Sequence, residues 1–270
     1  MRVGSKARAS SAMNAFWQCP GCRKTLFRRE LEQNLWVCTH CGRHEKMTAP
    51  QRIEATFDQD SFIDLDADLV SIDPLEFPDY AEKLEAARQK TGREDGIMSG
   101  WAKIHEVKVA CAVADFSFMG GSMGSVAGEK ITRTLERAAD ERCPAIIFCA
   151  SGGARMQEGL LSLMQMAKTT AAVARCRQRG APFIAVFTDP TMAGVLASYA
   201  SVADVILAEP RALVGFAGTR VSKQAQVVKM PDDFQTAEFA FKHGMIDKIV
   251  PRREMRDTLA KLARMLGGVR

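Results

Sequence analysis

The chain has 270 residues, 47% of them hydrophobic and 26% charged, with a net charge of +5. That length supports one substantial core, and the charge content excludes global disorder. The apolar stretch around Ala181–Thr188 ends at Asp189 and Pro190 and is too short to cross a bilayer.

The positive charge is local. Residues 1–46 hold nine Lys/Arg against three acids, and the remainder is close to neutral. Residues 1–15, rich in Ser, Ala and Arg, read as a flexible basic tail. No apolar segment of the signal-peptide kind follows the first basic residues.

Residues 16–46 carry Cys19-Pro-Gly-Cys22 and Cys38-Thr-His-Cys41, fifteen residues apart. Each Cys-x-x-Cys turn presents two thiolates to one ion, and two turns close a tetrahedron, as in four-cysteine structural zinc sites. Four sulfurs leave no open coordination position, so Cys19, Cys22, Cys38 and Cys41 predict a structural Zn2+, one per chain. Two redox Cys-x-x-Cys pairs are the alternative. His40 and His44 could ligate in principle and are expected at the surface. Arg23, Lys24, Arg28 and Arg43 either offset the thiolate charge or bind nucleic acid. Phe16, Trp17, Phe27 and Trp36 are expected to form the small core of this ribbon. Of the other four cysteines (Cys111, Cys143, Cys149, Cys176), three lie in or beside apolar segments and read as buried small hydrophobes. A reducing, cytoplasmic setting follows.

Residues 47–270 form the main domain. Met47–Phe57 is predicted helical and Phe62–Asp68 extended; a loop containing Pro74 and Pro78 leads to a solvated helix over Tyr80–Arg93. From residue 100, apolar strands alternate with Gly-rich turns and helices. The predicted strands are Val107–Phe118, Ala145–Ala150, Phe183–Thr188, Val205–Ala208 and Ala212–Phe216. The predicted helices run to Arg142, over Glu158–Arg179 and over Val195–Ala203. This alternation implies a layered α/β body with right-handed crossovers.

A glycine turn after a strand lets a ligand approach the backbone, and the next helix start offers unpaired N–H groups. That geometry suits a phosphate or a developing oxyanion. Gly128-Glu129-Lys130 breaks the phosphate-binding P-loop pattern, and no G-x-G-x-x-G occurs. Gly120-Gly121-Ser122-Met123-Gly124 matches the nucleophile-elbow pattern, so a serine hydrolase is one alternative. Only His243 follows as its base, with Asp189, Asp204 or Asp232 as acid, and Phe241-Lys242-His243-Gly244 looks like a helix end. Met156, Met164 and Met166, with Leu160 and Leu163, are expected in the core. Arg155 either pairs with an anion of the ligand or caps a neighbouring carboxylate.

With these residues the chain resembles the β subunit of bacterial and plastid-type acetyl-CoA carboxylase carboxyltransferase. The matching segments are the four-cysteine ribbon, Phe118–Ser125, Ser151–Gly159, Thr188–Thr191, Ala208–Pro210, Gly215–Gly218 and His243–Asp247. The resemblance implies a crotonase-like superhelix of ββα units behind an N-terminal zinc ribbon. It implies transfer of a carboxyl group from carboxybiotin, held in trans on a biotin carboxyl carrier protein, to acetyl-CoA, giving malonyl-CoA for fatty acid synthesis. It implies a homologous α subunit in an α2β2 heterotetramer, with biotin carboxylase in the same system. By resemblance, the backbone donors are Gly152, Gly153, Ala193 and Gly194, with Gly120, Gly121 and Arg155 near the substrate. An enolate oxyanion needs such donors, and no side-chain nucleophile is required.

The chain departs from the family pattern at four places. Ala193-Gly194 stands where two adjacent glycines are usual, Leu196 replaces a smaller residue, Ser201 a larger apolar one, and Thr219 a proline. A positive φ at residue 193 would strain alanine by about 1 kcal/mol. The departures suggest either neutral drift or a specialised paralogue with altered acyl-CoA preference or inhibitor insensitivity.

Overall fold

The structure, a computed structural model, describes residues 15–217 and 231–268. The basic tail before residue 15 and the departure at Thr219 lie outside these residues. The chain divides into two compact units between Met47 and Thr48. Among the described residues, no helix is long and apolar enough to cross a membrane.

In the first unit, β1 (Phe16–Gln18) pairs antiparallel with β2 (Thr25–Phe27), and a short helix, α1 (Arg28–Gln33), follows. Its interior is small: Cys19, Leu26 and Cys38, with Trp17, Cys22 and Cys41 packed against them. Phe16 and Phe27 are about half exposed and stack on each other, with ring centroids 4.8 Å apart. The expected aromatic core is therefore corrected for these two. Strand alternation turns Trp17 and Leu26 inward and their strand neighbours Phe16 and Phe27 outward.

In the second unit one eight-stranded sheet carries the fold. β3 (Ile63–Asp64), β4 (Ile97–Ile104) and β5 (Val107–Ala114) run antiparallel; β6 (Ala145–Ser151), β7 (Phe183–Met192), β8 (Val205–Ala208) and β10 (Lys248–Ile249) continue in parallel. β9 (Val214–Gly215) adds to the end of β7. Both faces are covered, so the central strands read as continuous apolar runs. Ala112, Ile147 and Phe187 face one layer, with α4 (Ser125–Glu141) and α5 (Gly159–Arg179). Val113, Ile146 and Val186 face the other, with α2 (Ala49–Thr56) and α8 (Arg252–Gly267). The remaining helices are α3 (Tyr80–Thr91), a single turn α6 (Ala193–Leu196), and α7 (Ala237–Lys242).

Three expectations change. β4 was not foreseen. Its hairpin to β5 turns on His105 and Glu106, both at positive φ without glycine. The Asp58 carboxylate accepts both turn N–H groups, at 2.9 and 2.8 Å, from 47 and 48 residues away. The helix expected over Val195–Ala203 breaks at Ser198 (φ −133°, ψ −125°) into α6 and a 3-10 turn, Tyr199–Val202. The strand expected to reach Phe118 stops at Ala114. There Asp115 turns its carboxylate to Ala49 N and Ser117 N, each at 2.9 Å, and so joins α2 to the loop.

Candidate functional site

The four cysteine sulfurs lie within 4.8 Å of one another. Cys19–Cys41 and Cys22–Cys38 Sγ pairs are 3.6 and 3.9 Å apart, far longer than a disulfide. Four sulfurs at about 2.3 Å from a central tetrahedral ion are about 3.8 Å apart. The residues therefore fit zinc, and the closed set gives it a structural role. Burial raises the Cys19 thiol pKa, and the Cys22 and Gly21 amides more than offset this, bringing it to about 7. The Cys38 thiol goes the other way, raised by burial to about 11.

In the second unit the parallel strands deliver three turns to one edge of the sheet. Gly121, at φ +62°, ends the 3-10 turn after β5, and a Cβ there would overlap the Ala150 carbonyl oxygen. Glycine is thus required for packing, and Gly121 is a spacer between turns. Gly120 lines an open cavity of about 830 Å³ together with Gly152, Phe116 and Met119. The turn after β6 is tied to the turn after β5 by Gly152 N donating to Gly120 O at 2.9 Å. Gly153 N donates to the Ser151 hydroxyl at 3.0 Å. Two of the four expected backbone donors are therefore engaged within the protein. Ala193 and Gly194 open α6, where N–H groups have no preceding helical carbonyl to reach.

Ala193 has φ +49°, which meets the condition for strain. Its methyl group faces the turn after β6, where a Cβ on Gly153 (φ +126°) would come within 2.8 Å of it. The two turns are thus side by side. Of the other departures, Leu196 is buried in the main core and Ser201 is exposed.

Arg155 does not face a ligand. Its side chain has no exposed surface, and Nη1 contacts Asp95 at 2.8 Å and Ser71 Oγ at 3.1 Å. Nε and Nη2 donate to the Ser122 hydroxyl and carbonyl. Glu158 adds a carboxylate at 3.4 Å, accepts from Tyr80 at 2.6 Å, and caps α4 through Ser125 N at 2.5 Å. Burial lowers the Arg155 pKa, yet Asp95 outweighs it and the net shift is upward. A buried guanidinium with this set of partners orders the turns, in line with the carboxylate-capping one of the two roles read from the sequence. Burial, partly countered by Arg155, pushes the Tyr80 phenol up to about 12.

Ser122 accepts its hydrogen bond from Arg155, and the His243 ring nitrogen pairs with the Phe239 carbonyl at 2.8 Å. Neither arrangement supports a serine triad. The methionine expectation holds for Met166, which packs against the main core, and is corrected for the others. Met156, Leu160, Leu163 and Met164 are exposed, at 81%, 68%, 48% and 59%, along α5 and the turn before it. Helical period identified a shared face but not which side it lay on.

One buried cluster was missed. Glu209 is held by Arg52 and by a bidentate Arg252 at 2.7 and 2.6 Å, all within the core. Burial raises the Glu209 pKa, and the two guanidinium charges outweigh it, leaving a net decrease. Three residues separated by up to 200 positions leave no local signal.

Residues 43–238 match the carboxyl transferase domain, and residues 16–41 match the acetyl-CoA carboxylase zinc finger domain. The chain is 49% identical over 267 residues to the acetyl-coenzyme A carboxylase carboxyl transferase subunit beta of Pelobacter propionicus, covering 97% of this chain and 93% of that one. It is 46% identical over 269 residues to the protein of the same name from Prochlorococcus marinus strain MIT 9211, covering 98% and 93%. Among solved structures, a transcarboxylase 12S with methylmalonyl-coenzyme A and methylmalonic acid bound superposes with a TM-score of 0.70 at 27% identity, over 80% of this chain and 41% of that one. The fold is thus the crotonase-like one, with a zinc ribbon at its N-terminal side, and the chain belongs to the family of acetyl-CoA carboxylase carboxyl transferase β subunits.

Proposed function

We propose that this chain supplies the acyl-CoA half of the carboxyl transfer site, and that backbone amides of the turns after β6 and β7 stabilise the enolate oxyanion of acetyl-CoA. The observation that carries this is the side-by-side placement of Gly153 and Ala193 at the ends of adjacent parallel strands. Preorganised amides aimed at developing charge are a large source of rate enhancement. Ala193 and Gly194 N–H groups start a helical turn and suit this role. An oxyanion is a stronger acceptor than a hydroxyl, so the Gly153 amide can exchange Ser151 for substrate. Gly152 stays with Gly120, as a brace. Biotin, delivered on its carrier protein, supplies the carboxyl group.

The exposed apolar face of Met156, Leu160, Leu163 and Met164 suits burial against a homologous α subunit, as part of an α2β2 assembly. Biotin carboxylase would recharge the carrier. Eight free cysteines suit the cytoplasm. The basic ribbon supports no more than salt-sensitive nucleic-acid binding, which a flat salt response would exclude.

The test is biotin-dependent decarboxylation of malonyl-CoA by the zinc-loaded chain, with and without an α subunit. Turnover that requires both chains is expected. A folded, zinc-loaded pair with no turnover would overturn the proposal.

A further inference from the structure

We infer that Lys83 and Lys90, on one face of α3, form the subsite for the phosphate groups of the coenzyme A nucleotide. This rests on the acyl-CoA reading above and adds to it the residues that hold the far end of the substrate.

Both lysines line the 830 Å³ cavity that also contains Gly152, the turn proposed to lead to the reacting carbonyl. They lie seven positions apart, two helical turns or about 10 Å along the axis, so both amines address the same side. Phe116, Met119 and Met156 make part of the wall apolar, and Ser117, Ser122 and Gln157 add neutral polar groups. No Asp or Glu lines the cavity. The nearest opposing charge is Asp79, 4.0 Å from Lys83 and itself exposed; among the described residues, Lys90 has no carboxylate partner. By contrast, Lys103, Lys108 and Lys168 are each paired with a glutamate. A cavity lined by two lysines, one of them without a carboxylate partner, by apolar side chains and by a glycine turn suits an elongated ligand with a polyanionic head and a thioester tail. The lysines act as point charges that need no fixed geometry.

The position of α3 gives the subsite a firm base. Tyr80 and Leu84 are buried against Phe118, and Tyr80 donates to Glu158 in the Arg155 cluster. The helix that bears the lysines is thereby fixed to the turn that bears Gly120.

The experiment compares wild type with Lys83→Ala/Lys90→Ala in the complete zinc-loaded chain with its α subunit. It uses malonyl-CoA and malonyl-pantetheine, which lacks the nucleotide and its phosphates. The double variant should raise KM for malonyl-CoA by about tenfold or more, the scale of losing charge-assisted contacts. It should leave the KM for malonyl-pantetheine unchanged, and Lys83→Arg/Lys90→Arg should restore most of the affinity for malonyl-CoA. Lys103→Ala, a paired surface lysine, is the control. An unchanged KM for malonyl-CoA, or an equal rise for both substrates, would overturn the assignment while leaving the acyl-CoA reading intact. Wild-type protein that turns over neither substrate would overturn both.

Discussion

The ribbon and the sheet domain hold their shape by opposite means. The ribbon depends on four side chains within Cys19–Cys41, grouped around one point, with Leu26 and Leu31 as its few other deeply buried residues. The sheet domain spreads its stability over two apolar layers and ties distant segments together with buried charge, at Arg155–Asp95 and at Arg52–Glu209–Arg252. A small unit without a core relies on a metal. A large one can accommodate buried charges, provided that all partners are present.

Removing a single group should therefore affect the two regions differently. The largest effect is expected in the ribbon. Cys22→Ser should release zinc and unfold residues 16–46, since metal binding contributes about 10–16 kcal/mol in comparable small domains. Metal analysis and amide exchange would show it, and retention of full zinc stoichiometry would rule out the four-cysteine assignment. In the sheet domain, Arg252→Ala should cost about 3–5 kcal/mol, because it strands half of the Glu209 charge. Denaturant unfolding would measure this, and a loss below 1 kcal/mol would mean that Arg52 alone suffices.

Acid should sharpen the contrast. The Glu209 pKa is lowered in the folded state, so its contribution is present above the unfolded value of about 4.3 and is lost as pH falls through the folded value. Unfolding free energy should decline below about pH 4.3, and a variant with Glu209→Gln should show a shallower decline. Equal slopes would assign the acid sensitivity to other carboxylates.

The smallest effect concerns Ala193. Relief of its positive φ should gain about 1 kcal/mol, and the extra freedom of glycine in the unfolded chain removes about half of that. Ala193→Gly should thus raise the thermal midpoint slightly. Combined with a smaller residue at 196, it should also change acyl-CoA or inhibitor constants if the chain is a specialised paralogue. Unchanged constants would leave neutral drift.

The same contrast explains what could be read from the sequence. Cys19, Cys22, Cys38 and Cys41 carry their geometry in their spacing, so the ribbon's metal site was fully legible. The parallel strands β6, β7 and β8 were legible because burial on both faces demands apolar runs. β4 was not, because its turn at His105 and Glu106 lacks the usual Asn or Gly and is completed by Asp58. The glycine turns could be located, but not which amides were already engaged. For Gly152 and Gly153 the partners are Gly120 O and Ser151 Oγ, and only the folded chain brings Gly120 to Gly152. Arg155 looked like an anion ligand beside its glycines. Its true partners, Ser71, Tyr80 and Asp95, lie 60 to 84 residues earlier.

That order of partners has a consequence for synthesis. Ser71, Tyr80, Asp95 and Ser122 all leave the ribosome before Arg155 does. At translation speeds of about 5–20 residues per second, the 60 residues from Asp95 to Arg155 take roughly 3–12 s. Through that interval the nascent domain carries Asp95 without its arginine. The Asp95 cluster is therefore completed only once Arg155 has been made, and the Arg52–Glu209–Arg252 cluster later still.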